Sequence, residues 1–252
     1  MELLIIFIFH PLLTLPIFYL QAEYQPGAAQ HPFAERFRHL KGAEVKTVGE
    51  AFAEFTKILG TPINALYKNM MTDIVGTTHL TVVNARFVRD PVWSLGMIAS
   101  LDLLLKNYPE NDTAERIVSA LFECVGLDEA EVRAEAASLK EWAAGKSKED
   151  IAAALKGEGD GPIVASAKAA KEDEYWMYSR FFGIGLVALM DGCGVEMNAD
   201  DVYPVMEDWM GSALGKSHFT ACVSFFYSSL TNFLENNQVI LTYLYLFFIN
   251  TQ

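Results

Sequence analysis

Three cysteines, Cys124, Cys193 and Cys222, are all that 252 residues contain, too few and too scattered for a disulfide framework or a zinc cluster. Cys124 and Cys222 fall in apolar helical patterns and read as small buried residues. Basic charge is scarce as well: 19 Lys and Arg stand against 32 Asp and Glu, a net charge of −13. So acidic a chain lacks the cationic surface that neutralises phosphates, which makes nucleic acid a poor partner. The sequence has no P-loop, nucleophile elbow, Cys-x-x-Cys pair or aromatic-basic RNA motif. Nothing in it calls for a cofactor or a metal. Nor, in the middle of the chain, does any alternation of apolar and polar residues run long enough for a strand.

Apolar residues are plentiful, at 52% of the chain, but unevenly spread. Much of the excess lies in residues 3–20 and 239–249; about 45–235 reads as an ordinary acidic soluble domain. The first run is interrupted by His10, Pro11 and Pro16, and a proline inside a helix costs about 3 kcal/mol, so a stable membrane span is disfavoured. A cleavable targeting leader is the favoured reading, with a foreign start or a membrane anchor as alternatives. The second run is shorter than the roughly 20 residues that cross a bilayer; a docked helical tail and a non-native end both fit it. The expected organisation is therefore residues 1–46 as leader or poorly ordered start, 47–234 as a helical domain, and 235–252 as an apolar tail.

The middle is punctuated by helix signals. Thr47 with Glu50, Asp112 with Glu115, and Asp128 with Glu131 match the capping box, and Ser147 with Asp150 is a weaker version. Val48, Ala51, Phe52, Phe55 and Leu59 form a helical stripe; a second stripe, opening at Thr61–Tyr67, runs from Ile63 through Leu66, Met70 and Ile74 towards Leu80 and Val83. Asp90-Pro91 ends that pattern, and Pro91 starts the next helix, Val92 to Leu105. Ile117, Leu121 and Val125 line the following helix, which stops at Gly126; another runs from Asp128 to Trp142. Between Ala143 and Pro162, four glycines among charges predict a mobile loop. Helices resume at Ile163, with a long apolar one from Tyr175 to Met190 and two more over Asp200–Ser212 and His218–Leu234. The expectation is an all-α fold of about nine or ten helices in one domain.

Candidate chemistry is sparse. Gly183-Ile184-Gly185-Leu186-Val187-Ala188 matches the dinucleotide pattern, but that mechanism needs a preceding strand. Here the pattern lies in a helix, and small residues that admit a close helix neighbour are the preferred explanation. His79 has no helical metal-binding partner and reads as a satisfied core or helix-junction histidine. Asp90 reads as a cap. Asp102, on an otherwise apolar helix, suggests a buried ion pair with Arg180 or Arg89. A small helical enzyme using His79, Asp102 and Arg180 is the alternative to a chain without catalysis.

Taken in order, Thr61-Pro62-Ile63-Asn64-Ala65-Leu66-Tyr67, His79-Leu80, Phe87-Val88-Arg89-Asp90-Pro91, Leu95-Gly96, Asp102, Leu121 with Gly126-Leu127-Asp128, Tyr178-Ser179-Arg180 and Gly185-Leu186 resemble the thylakoid formation family of cyanobacteria and plastids. The resemblance covers about 47–234. It implies an all-helical, non-enzymatic, cofactor-free factor in photosystem II biogenesis and repair and in thylakoid organisation. The implied partners are an FtsH-type thylakoid protease and photosystem II intermediates. The implied place is the chloroplast, at the thylakoid membrane periphery or in the stroma. Pro62, Ile63, Asn64, Tyr67, His79, Asp90, Pro91, Asp102, Tyr178 and Arg180 are the signature or partner-binding candidates on this basis. The chain departs from the family at Arg89, where an aromatic is usual, at Leu103, where an arginine is usual, and at its apolar end, where the family carries a charged tail.

Overall fold

A computed structural model describes residues 31–222; the apolar runs at 3–20 and 239–249, and most of the helix expected over His218–Leu234, lie outside them. Contacts divide the chain into two units, with the boundary between Glu44 and Val45. In the first unit, α1 (Pro32–Arg36) starts at His31, whose Nδ1 accepts from the Phe33 amide, and buries none of its residues.

Among its described residues the second unit is built of helices joined by turns, with no strand. Helix α2 (Val48–Leu59) opens with the expected reciprocal Thr47–Glu50 box and closes at Gly60, whose φ of 67° is the left-handed stop. The chain then departs from the sequence expectation. Thr61–Tyr67 is a turn, not a helix start: Asn64 Oδ1 accepts from the Leu66 amide and the Asn64 carbonyl accepts from Tyr67. This Asn-centred turn satisfies the backbone locally, so α3 begins only at Lys68 and runs to Val82. Its buried stripe is Met70, Met71, Ile74, Val75, Thr78 and His79. Leu80 and Val83, expected inside, are 58% and 38% exposed.

Asp90 caps α4 (Pro91–Leu105) by accepting from the Val92 and Trp93 amides, and Pro91 takes the first position. Helix α5 (Asn111–Cys124) starts just before Asp112, which therefore sits in the first turn and is not the cap. Helix α6 (Glu129–Ala143) is capped by Asp128 as expected.

The stretch expected to be a mobile loop contains a helix, α7 (Lys148–Lys156), with a full Ser147–Asp150 box and with Ile151, Ala152, Ala154 and Leu155 buried. Its surroundings pin it. Trp209 Nε1 donates to the Lys148 carbonyl at 3.3 Å, and Trp142 Nε1 donates to the Asp160 carbonyl at 3.2 Å. Glycine spacing suggested mobility, but those glycines end the helix and turn the chain instead. Helix α8 (Pro162–Glu172) follows. The long helix expected from Tyr175 begins only at Arg180, because Asp173 turns the chain by accepting from Tyr175 and Ser179 caps α9 (Arg180–Gly192). Helix α10 (Ala199–Met206) continues into a π-helix, Glu207–Ala213, that buries Trp209 and Met210.

Helices α4 and α9 form the centre. Val92 and Leu95 of α4 join one apolar cluster with α6 to α10, while Trp93, Met97, Leu101 and Leu105 join a second with α2, α3 and α5. The two central helices meet backbone to backbone. A Cβ on Gly96 would lie 1.8 Å from the Phe181 carbonyl oxygen, and one on Gly185 would lie 2.0 Å from that of Val92. The second glycine of the dinucleotide-like pattern is therefore a packing contact, in mid-helix and with no strand before it.

Candidate functional site

Helix α3 presents two edges. The apolar one is buried; beside it Thr72, Asp73, Gly76, Thr77, Leu80 and Thr81 line an open groove of about 440 Å³. The start of α2 at Val48 and the entry to α9, Met177 to Arg180, form its other walls. Two local rules place the far wall. Asp173 ends α8 in a turn, and Ser179 Oγ accepts from the Phe182 amide at 3.2 Å, so the preceding residues run extended past α3. Trp176 and Tyr178 steady that segment by stacking edgewise on Phe182, with ring centroids 5.1 and 6.4 Å away.

The electrostatic centre of the groove is Asp73, the only acid of α3. Burial pushes its carboxyl above the usual carboxylate range, and the Arg180 charge offsets part of that shift. Its Oδ2 is enclosed and has no hydrogen-bond partner. Two of the groove hydroxyls are committed as donors: Thr72 Oγ donates to the Lys68 carbonyl at 2.9 Å and Thr81 Oγ to the Thr77 carbonyl at 2.8 Å. What they still offer the groove is lone pairs.

The residues singled out from sequence fall into separate places. Tyr178 and Arg180 line this groove; His79 and Asp102 do not. His79 is buried, and its Nε2–H donates to the Lys46 carbonyl at 2.7 Å, which fastens the start of α2 to α3. Asp102 is exposed on α4 and pairs with neither arginine, contrary to the expected buried ion pair. Arg89 instead reaches α6, with Nη2 2.8 Å from Glu131 and 2.9 Å from Glu135, and Arg180 faces Asp73. The structure thus does not assemble His79, Asp102 and Arg180 into one pocket.

Pro62 to Tyr67 form a second group. Tyr67 is buried, stacks on Tyr108 at 4.7 Å and donates its hydroxyl to the Asn107 carbonyl at 2.8 Å. The Asn64 amide donates to the Tyr108 hydroxyl at 3.1 Å, and Ile63 packs half-buried on the core. These contacts staple the turn to the end of α4. Asp90, the cap of α4, is ringed by protein although part of its surface meets solvent; burial first, then the nearby Glu135 charge, push its carboxyl up to about 6 against the pull of two amides. Pro91 follows it at the helix start.

A model of the family described as thylakoid formation protein matches residues 47–241. The chain belongs to that family. It is 31% identical over 162 residues to protein Thf1 of Rippkaea orientalis, covering 62% of this chain and 67% of that one. It is 29% identical over 151 residues to protein THYLAKOID FORMATION 1, chloroplastic, of Arabidopsis thaliana, covering 59% of this chain and 50% of that one. The match thus spans about half the length of the plant relatives. A solved structure of Psb29 superposes with a TM-score of 0.64 at 20% identity, over 77% of this chain and 99% of that one, which establishes a shared fold.

Sequence reasoning missed Asp73 and the threonines beside it. The signal was present: Asp73 is the one acid in a fifteen-residue helix, with threonines one residue before it and four and eight after.

Proposed function

We propose that this thylakoid formation family member is a non-enzymatic accessory factor in photosystem II biogenesis and repair and in thylakoid membrane organisation. In this reading it binds and sustains an FtsH-type thylakoid protease, and it works in the chloroplast at the thylakoid membrane periphery or in the stroma. Family membership across residues 47–241 carries the reading, together with relatives whose names say thylakoid formation and chloroplastic. Two features support binding over chemistry. The residues that would have made a catalytic set, His79, Asp102 and Arg180, lie apart. The second unit also presents an open groove of mixed polar and apolar character on a rigid helical scaffold. No helix among the described residues is long and apolar enough to cross a membrane, which accords with peripheral attachment.

The test is a null mutant exposed to strong light. Photosystem II activity is expected to recover more slowly than in the wild type, and reintroducing the chain is expected to restore the rate. Normal recovery in the null mutant would remove the proposal. Carbonate extraction of thylakoids tests the location: release of the chain into the soluble fraction is expected, and retention in the membrane contradicts peripheral attachment.

A further inference from the structure

We infer that residues 177–179, on the far wall of the groove beside α3, form an edge on which an uncharged, extended segment of a protein partner pairs through its backbone. This inference rests on the reading of the chain as a partner-binding factor and specifies the form and charge of the partner's segment.

The segment is hydrogen-bonded at its two ends but not between them. The Trp176 amide donates to the Asp173 carbonyl at 3.1 Å, and the Ser179 carbonyl accepts from the Gly183 amide at 3.3 Å. Among the described residues nothing accepts from the Met177 or Ser179 amides, and nothing donates to the Met177 carbonyl. Ser179 has a φ of −123° and a ψ of 156°, the β conformation. Along a strand, residues two apart turn their N–H and C=O groups to the same side. The Met177 amide, the Met177 carbonyl and the Ser179 amide thus make one short row, the kind of edge on which a second chain adds as a strand. Tyr178 between them stacks on Phe182 with centroids 6.4 Å apart, which holds the edge in place before a partner arrives.

The opposite wall sets the length and charge of the occupant. The lining residues of α3 run from Thr72 to Thr81, about 14 Å at about 1.5 Å per residue, which an extended chain crosses in about four residues. Asp73 and Arg180 are the only charged side chains among the described lining residues, and they face each other. Their charges offset, so a charged side chain of either sign meets repulsion as well as attraction. The Thr77 and Ser179 hydroxyl protons are uncommitted, while Thr72 and Thr81 offer lone pairs. A lining with both donors and acceptors matches the peptide group, which carries one of each. Val48 and Leu80, the latter 58% exposed, add apolar wall for an aliphatic side chain of the same segment.

The probe is the capped tetrapeptide acetyl-Val-Thr-Val-Thr-amide, titrated into the isotope-labelled full chain and read by amide resonances and amide exchange. Saturable shifts are expected along residues 72–81 and 177–180. The Met177 and Ser179 amides are expected to exchange fast in the free chain and at least about tenfold more slowly once the peptide saturates. The analogue N-methylated at all four residues keeps the side chains and donates nothing; it is expected to bind about tenfold more weakly or worse. Met177→Pro, which removes one donor of the edge, is expected to weaken the parent peptide by a similar factor. Thr77→Trp, which fills the groove and leaves the edge intact, is expected to do the same and is the second variant should the proline disturb the entry to α9. Equal binding of the N-methylated peptide, tighter binding of an analogue with lysine or glutamate at its third residue, or no saturable shift overturns the inference. So does slow exchange of the Met177 amide without peptide, the mark of an edge already covered by this chain or a second copy. In a null strain, a reintroduced Thr77→Trp chain is expected to restore photosystem II recovery poorly. Full restoration by that variant would sink the groove and leave the wider function standing, whereas that function fails only if the null strain itself recovers normally.

Discussion

At Asp90 two requirements oppose each other. The start of α4 needs an acceptor for the Val92 and Trp93 amides, while burial and the Glu135 charge resist ionisation and push the carboxyl up to about 6. Between roughly pH 4 and 6 the folded chain therefore holds a proton that the unfolded chain has released. Stability is expected to fall as pH rises through that window and to level off above it, by up to about 3 kcal/mol. Asp90→Asn keeps the cap without the charge. In urea unfolding followed by circular dichroism, that variant is expected to match the parent at pH 4 and exceed it at pH 8. Asp90→Ala, which loses the cap, is expected to be less stable than Asp90→Asn by about 1 kcal/mol. The cap was legible in the Asp-Pro pair because both residues act on their own backbone. The shifted acidity was not, because burial, its main cause, and the Glu135 charge from α6 both arise only from tertiary packing. The same limit misplaced Asp102: an acid in an apolar run invites an ion pair, but α4 turns that one position to solvent while Arg89 finds Glu131 and Glu135.

Among elements, the crossing of α4 and α9 is the contact with least tolerance. Backbone carbonyls occupy the space a side chain would need at Gly96 and Gly185, so no rotamer change can relieve an added methyl. Gly96→Ala and Gly185→Ala are each expected to destabilise by at least about 3 kcal/mol, at or beyond the upper end of ordinary overpacking, as read by the urea midpoint. Gly145→Ala tests a different quantity, the φ of 76° after α6, and is expected to cost about 1 kcal/mol. The close-packing role of the glycine pattern could be read from its helical surroundings, although the partner helix could not. Helix α7 was hidden by the glycines that flank it, yet its box at Ser147 and the four-residue spacing of Ile151 and Leu155 were in plain view. Amide exchange is expected to be slow across Ile151–Lys156; exchange as fast as in an unstructured chain would restore the loop reading. The exposed Leu80 and Val83 show the opposite error. A stripe continued from Ile63 carried the wrong phase, because the Asn64 turn delays the helix to Lys68.

For the whole molecule, helix content and family were legible because they rest on local caps, apolar stripes and an ordered set of motifs, all of which survive without coordinates. The groove was not, because it joins α3 to a segment far along the chain whose extended course depends on Asp173 and Ser179. The proposed handling of protein partners draws on two apolar clusters of helices and on the mixed groove open beside α3. The most direct measurement of that account is the lifetime of the FtsH-type protease in thylakoids after protein synthesis is blocked, followed by immunoblot with and without this chain. A shorter lifetime in the null strain, restored by the reintroduced chain, is the expected result. An unchanged lifetime would contradict the claim that this protein sustains the protease.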